Sequence, residues 1–115
     1  MMKAEAPCCV PIAVWQAARM ILEVANIDVQ PGQEAAFAGA YRQVRDIVVS
    51  TPGCRSVRMT CGIESPSRFV LLVEWDSVEA HERNFRGTDR FTTWRAAIGP
   101  FFANPPLVEH FTDVD

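Results

Sequence analysis

The segment Phe69–Arg86, FVLLVEWDSVEAHERNFR, constrains the fold of this chain more than any other. Phe69, Leu71, Val73 and Trp75 alternate onto one face of a strand, while Val70 and Leu72 make the opposite face apolar as well. Such a strand is expected where both faces of a sheet are covered. Asp76 offers an N-cap and Glu79, three residues on, completes a capping-box pattern, which predicts a helix from Ser77 to about Arg86. His81 then falls in the first two turns of a helix that leaves the end of a buried strand. From there a side chain can look into a cleft.

The rest of the chain alternates in kind around that unit. Met20–Val29 is apolar and β-branched enough for a strand, with Glu23 and Asn26 as polar interruptions. Pro31-Gly32 breaks it and opens a helix on which Phe37, Tyr41, Val44, Ile47 and Val48 recur at helical spacing, until Pro52-Gly53 ends it. Val57, Met59, Cys61 and Ile63 alternate with polar residues as a strand with one covered face. Ser65-Pro66-Ser67 turns it into the Arg68–Trp75 strand. A second helical piece, Asp89–Ile98, follows Gly87 with Thr88 or Asp89 as cap, and Leu107–Asp113 reads as a last strand. The order β-α-β-β-α-β is the ferredoxin-like arrangement of the α+β class, one antiparallel sheet with its helices on one face. The opposite face still carries apolar side chains, so a homodimer packed sheet against sheet is expected.

At 115 residues the chain suits one domain with a modest core. Its formal charge is −3, Lys3 is the only lysine, and the arginines are scattered among acids. That distribution lacks the basic footprint of a nucleic-acid-binding surface. Four cysteines, Cys8, Cys9, Cys54 and Cys61, show no zinc-ligand spacing and read as reduced thiols of a cytoplasmic protein. The two histidines, His81 and His110, lie far apart in sequence, a weak ligand set, so no metal site is expected. Residues 1–19 contain a short apolar patch interrupted by Pro11, too short to span a membrane and poor as a secretory signal. They read as an N-terminal extension to a domain covering residues 20–115.

The stretches LEVANIDVQPGQEAAF, LLVEWDSVEAHERNFR and FTTWRAAIGPFF…PPLVEHF resemble the antibiotic biosynthesis monooxygenase family of dimeric α+β barrel proteins. The resemblance runs from Met20 to about Val114. It implies a small aromatic substrate of phenol, quinol or anthrone type held between sheet and helices. It also implies oxidation by molecular oxygen without metal, flavin or other added cofactor. The absence of GxGxxG, P-loop and HExxH motifs agrees with this. Haem-degrading relatives use an Asn on the first strand, a Trp on the second helix and a haem-ligating His. The matching positions here are Ala25, Phe85 and Arg95, and none is the required residue.

If the substrate supplies the electrons, the protein has to help remove a proton, exclude water and stabilise negative charge. His81 and His110 are candidate bases, because imidazole titrates near neutral pH. Each could equally be a histidine that packs at the helix–sheet seam or at a dimer interface. Glu23 is a carboxylate inside an interior strand and requires a partner, which Arg58, Arg86 or Arg95 could supply. It could accept a proton, orient a ligand or form a structural ion pair. Glu74, on the face opposite Trp75, could play the same part, and Asn26 could donate to an oxyanion. Trp75, Phe85, Phe91 and Trp94 could wall an aromatic pocket or simply fill the core. Two functions follow: a cofactor-independent monooxygenase, or a non-catalytic dimeric module that binds a small molecule or supports another protein. A buried polar cavity holding His81 and Glu23 together would favour the first. A pocket filled by Trp94 and Phe85 would favour the second.

Overall fold

The structure, a computed structural model, describes residues 20–114. The extension expected over residues 1–19, with Cys8 and Cys9, lies outside the described residues. Four strands, β1 (Ile21–Asp28), β2 (Cys54–Cys61), β3 (Arg68–Trp75) and β4 (Leu107–Phe111), form one antiparallel sheet in the order β2-β3-β1-β4. Helix α1 (Glu34–Val49) joins β1 to β2. A short helix α2 (Val78–His81), a π-helical turn (Glu82–Arg86) and helix α3 (Asp89–Ile98) join β3 to β4. This is the ferredoxin-like α+β fold expected from the sequence.

The alternation read from β3 is realised. Phe69, Leu71, Val73 and Trp75 are buried beneath the helices, whereas Val70, Leu72 and Glu74 are half-buried on the other face. On β1 the residues facing the helices are Ile21, Glu23, Ala25 and Ile27, all buried. Phe37, Tyr41 and Val48 of α1 and Trp94 and Ile98 of α3 close over them. Burying each such side chain stabilises the fold by about 1.5–3 kcal/mol.

Four local expectations are corrected. The helix after β3 is capped by Ser77, whose side chain accepts from the Ala80 N–H, and not by Asp76, which pairs with Arg55 instead. That helix does not run as a single α-helix to Arg86, because after His81 it widens into the π turn, closed by Gly87 N–H donating to Glu82 O at 2.8 Å. Strand β2 stops at Cys61, and Ile63 is 90% exposed in the hairpin turn, where Gly62 N–H donates to Arg68 O. The last strand ends at Phe111, short of Asp113. Among the described residues no helix is long and apolar enough to cross a membrane.

Candidate functional site

The antiparallel register of the central strands gathers the unusual polar residues. Glu23 lies opposite Val73 on one side and His110 on the other, so carboxylate and imidazole emerge side by side on the helix face of the sheet. Trp75 lies opposite Ile21 on that same face. His81 comes down onto it from the end of α2. Its ring stacks on Trp75 at 4.9 Å between centroids with 16° between planes, and Phe85 of the π turn lies beside the pair, 6.1 Å from each ring.

These contacts make one polar chain through an apolar layer. Trp75 Nε1 donates to Glu23 Oε1 at 2.9 Å. His81 Nε2 lies 3.4 Å from the same oxygen, and His81 Nδ1 meets His110 Nε2 at 2.7 Å. Glu23 is 6% exposed and His81 2% exposed. Burial pushes the Glu23 carboxyl above its ordinary range, while the Trp75 N–H and the positive charge of Arg86 hold it back. Burial also drives His81 down to about 3, with the charges of His110 and Arg86 acting in the same direction. His81 is therefore neutral at neutral pH, and its approach to Glu23 is a polar contact rather than an ion pair. His110, half-buried, is lowered mainly by burial and is partly restored by the carboxylate of Glu82.

The arginine partner expected for Glu23 is replaced by the Trp75 indole and the neutral His81. Arg86 acts on Glu23 only through its field, and Arg58 lies with Leu22, Leu72 and Glu74 on the opposite face.

A cavity of about 390 Å³ opens beside this chain. Glu23, His81, Phe85, Phe91, Trp94 and Arg95 of the expected site line it, joined by Arg86, Leu71, Phe102 and Val108. Arg86 lies 5.2 Å over the Phe91 ring and Arg95 5.4 Å over Phe102, so both guanidinium groups are braced by the cavity's aromatic wall. Trp75 stands behind Glu23 and does not line the space. His110 reaches it only through His81. Glu74 is turned to the other face, where Ser56 Oγ donates to it at 2.7 Å, and Asn26 is exposed on that face too. Sequence reasoning missed the direct His81–His110 contact and the contribution of Arg86 to the cavity wall. A β1–β4 pairing in register would have signalled the first.

The arrangement offers a buried proton acceptor, two cations for a developing anion and apolar walls that fit a flat ring. No described residue fills the space between them.

The sequence model of the family described as "Antibiotic biosynthesis monooxygenase" matches residues 20–97. The Bacillus subtilis protein YczJ, itself uncharacterized, is 34% identical over 95 residues, covering 83% of this chain and 100% of YczJ. A crystal structure from Bordetella bronchiseptica, named for the antibiotic biosynthesis monooxygenases, is 41% identical with a TM-score of 0.80, covering 84% of this chain and 98% of that one. A similarly named structure from Caulobacter crescentus is 30% identical with a TM-score of 0.73, over 84% and 92% of the two chains.

Proposed function

As this chain belongs to the antibiotic biosynthesis monooxygenase family, we propose that it oxidises a small phenol, quinol or anthrone with molecular oxygen, without an added cofactor. The observation that carries the reading is the shared cavity of Glu23 and His81, a buried acceptor pair inside an aromatic pocket of ligand size. The pocket is not filled by Trp94 and Phe85; both stand in its wall.

In this mechanism the ring lies against Phe85, Phe91 and Trp94. The substrate proton passes to Glu23, whose affinity for a proton burial raises, or to His81, whose lowered affinity the anion left beside it restores. The 2.7 Å contact lets His81 share it with His110. Arg86 and Arg95 stabilise the resulting anion, which would be costly in a dry pocket without them. The anion passes one electron to oxygen and the radical pair combines as a peroxide. The proton then returns to the peroxide and water leaves. An anthrone methylene, or the ring C–H and hydroxyl hydrogens of a phenol or quinol, thus combine with one dioxygen to give one new carbonyl and one water, and the substrate supplies the electrons.

A second copy of the chain completes the molecule in this reading. The half-buried side chains Leu22, Val24, Val70 and Leu72 lie on the sheet face away from the helices, where Leu107 and Phe111 are 58% and 47% exposed. Packing two such faces together removes that apolar surface from water.

The test is oxygen uptake across a panel of quinols, anthrones and catechols, with and without chelator, using the wild type and His81→Ala. The expected result is uptake that survives chelation and falls at least tenfold in the variant. Binding of panel compounds with no uptake above the uncatalysed rate would replace this reading with that of a small-molecule-binding module.

A further inference from the structure

The two histidines, 29 positions apart in sequence, turn ring nitrogens toward each other at 2.7 Å. The Glu82 carboxylate joins them, so that ligand atoms of His81, Glu82 and His110 all lie within 4.8 Å of one another. The sequence separation that argued against a ligand set is cancelled by the β1–β4 pairing and by the descent of α2 onto the sheet.

Two further observations distinguish this trio from a chance cluster. The other nitrogen of His81, Nε2, faces Glu23 Oε1 at 3.4 Å, and that oxygen is held by Trp75 Nε1. A carboxylate behind a ligating imidazole is the usual device that fixes its tautomer and raises its basicity. The trio is also graded in exposure, with His81 buried, His110 half-buried and Glu82 exposed. An ion can therefore enter from solvent and still meet a fixed ligand.

We propose that His81 Nδ1, His110 Nε2 and the Glu82 carboxylate form a site for a divalent transition-metal ion of the zinc type, and that a bound ion closes the His81 route for the substrate proton. Two imidazoles and one carboxylate suit zinc, cobalt or copper and not the oxygen-seeking magnesium or calcium. Tetrahedral zinc with bonds of about 2.0–2.1 Å requires its nitrogens about 3.3 Å apart. The 2.7 Å pair must therefore open by about 0.6 Å, a shift that falls to half-buried His110 on the edge strand β4 rather than to the buried His81.

The protons balance without release. In the metal-free protein one of the two facing nitrogens carries the hydrogen of the 2.7 Å contact. Metal binding shifts that ring to its other tautomer, so that His81 holds its hydrogen on Nε2, toward Glu23, and His110 holds its hydrogen on Nδ1. The two facing nitrogens then carry lone pairs for the metal, leaving His81 none for a substrate proton. The switch rests on the oxygenase reading above; the metal site does not.

The experiment titrates cobalt(II) and zinc(II) into chelator-treated protein, read by cobalt visible absorption and by calorimetry. The expected result is one ion per chain, bound at least about tenfold more weakly in Glu82→Gln and in His110→Gln. Glu23→Gln, which alters only the support behind His81, is expected to weaken it roughly tenfold. Zinc is expected to slow oxygen uptake in proportion to occupancy, and chelator to restore it. Equal binding in wild type, Glu82→Gln and His110→Gln would overturn the site. Zinc that binds there but leaves uptake unchanged or raises it would overturn the switch. Absence of oxygen uptake would remove the switch together with the oxygenase reading, and the binding arms would still decide the site.

Discussion

Gly53 sets how closely the helix carrying His81 approaches the sheet, and its replacement is the sharpest test of that packing. Its φ is +92°, and a Cβ added there would lie 2.6 Å from the Ala80 Cβ, one residue before His81. The Pro52-Gly53 turn also binds this region directly, with Asp76 N–H donating to Gly53 O and Asn84 Nδ2 to Pro52 O, both at 2.8 Å. Gly53→Ala therefore adds two costs. The left-handed backbone costs about 1–2 kcal/mol for a residue with a side chain, and forcing the two methyl groups apart costs about 1–3 kcal/mol. Gly32 is the internal control: its φ is +90° but no atom lies within 4 Å of an added Cβ. Gly32→Ala should carry the backbone cost alone. The expected result from denaturant unfolding is a loss of about 2–5 kcal/mol for Gly53→Ala against about 1–2 for Gly32→Ala. Ala80→Gly costs about 1 kcal/mol by itself. In the Gly53→Ala background it should return about 1–3 kcal/mol relative to additivity, because the overlap disappears. Equal losses at the two glycines, with additive behaviour of the double variant, would refute the claim that α2 is seated on Gly53.

Trp75→Phe removes the indole donor from a buried carboxylate; we expect a loss of about 1–3 kcal/mol at neutral pH in denaturant titration, much less of it when Glu23 is already Gln. Glu34 accepts from Ser67 Oγ at 2.6 Å, and chiefly that bond holds its carboxyl below the ordinary value. A group lowered on folding stabilises above its unfolded value, and the contribution fades as pH falls through the folded one. The stability gap between wild type and Ser67→Ala should accordingly close on acidification, and a gap constant with pH would count against it. In sedimentation velocity the wild type is expected to sediment as a dimer and Leu72→Glu, on the open sheet face, as a monomer; a wild type monomeric at all concentrations would remove the proposed interface.

The fold was legible because its signals are local. Period-two alternation in β3, the helical stripe from Phe37 to Val48 and the Pro-Gly breaks each follow from a few neighbouring residues. Glu23 stood out for the same reason, as a carboxylate within an apolar strand. Its partner did not, because the Trp75 indole arrives through the β1–β3 register, and an arginine is the commoner solution to a buried charge. The His81–His110 contact depends on two long-range facts at once, the pairing of Glu23 with His110 and the phase of a helix that turns π after His81. Ser77 displaced Asp76 as cap because Asp76 was engaged by Arg55 across the sheet edge, which spacing cannot reveal. Ile63 continued the alternation of β2 in sequence, but the hairpin had already closed at Gly62. Glu74 and Glu23 looked alike as strand carboxylates and were separated by which face each occupies.

The central claim is that the cavity takes a proton from a phenolic ring and holds the anion between Glu23, His81 and the two arginines. It is tested most directly with a non-oxidisable phenol of quinol size, titrated into the protein under anaerobic conditions and read by its phenolate ultraviolet band. The expected result is saturable binding as phenolate at a pH where the free compound is protonated. The band should weaken in His81→Ala and in Arg86→Gln, and vanish when His81→Ala and Glu23→Gln are combined. A phenol bound in its neutral form, or a phenolate band that survives His81→Ala and Glu23→Gln together, would contradict the account.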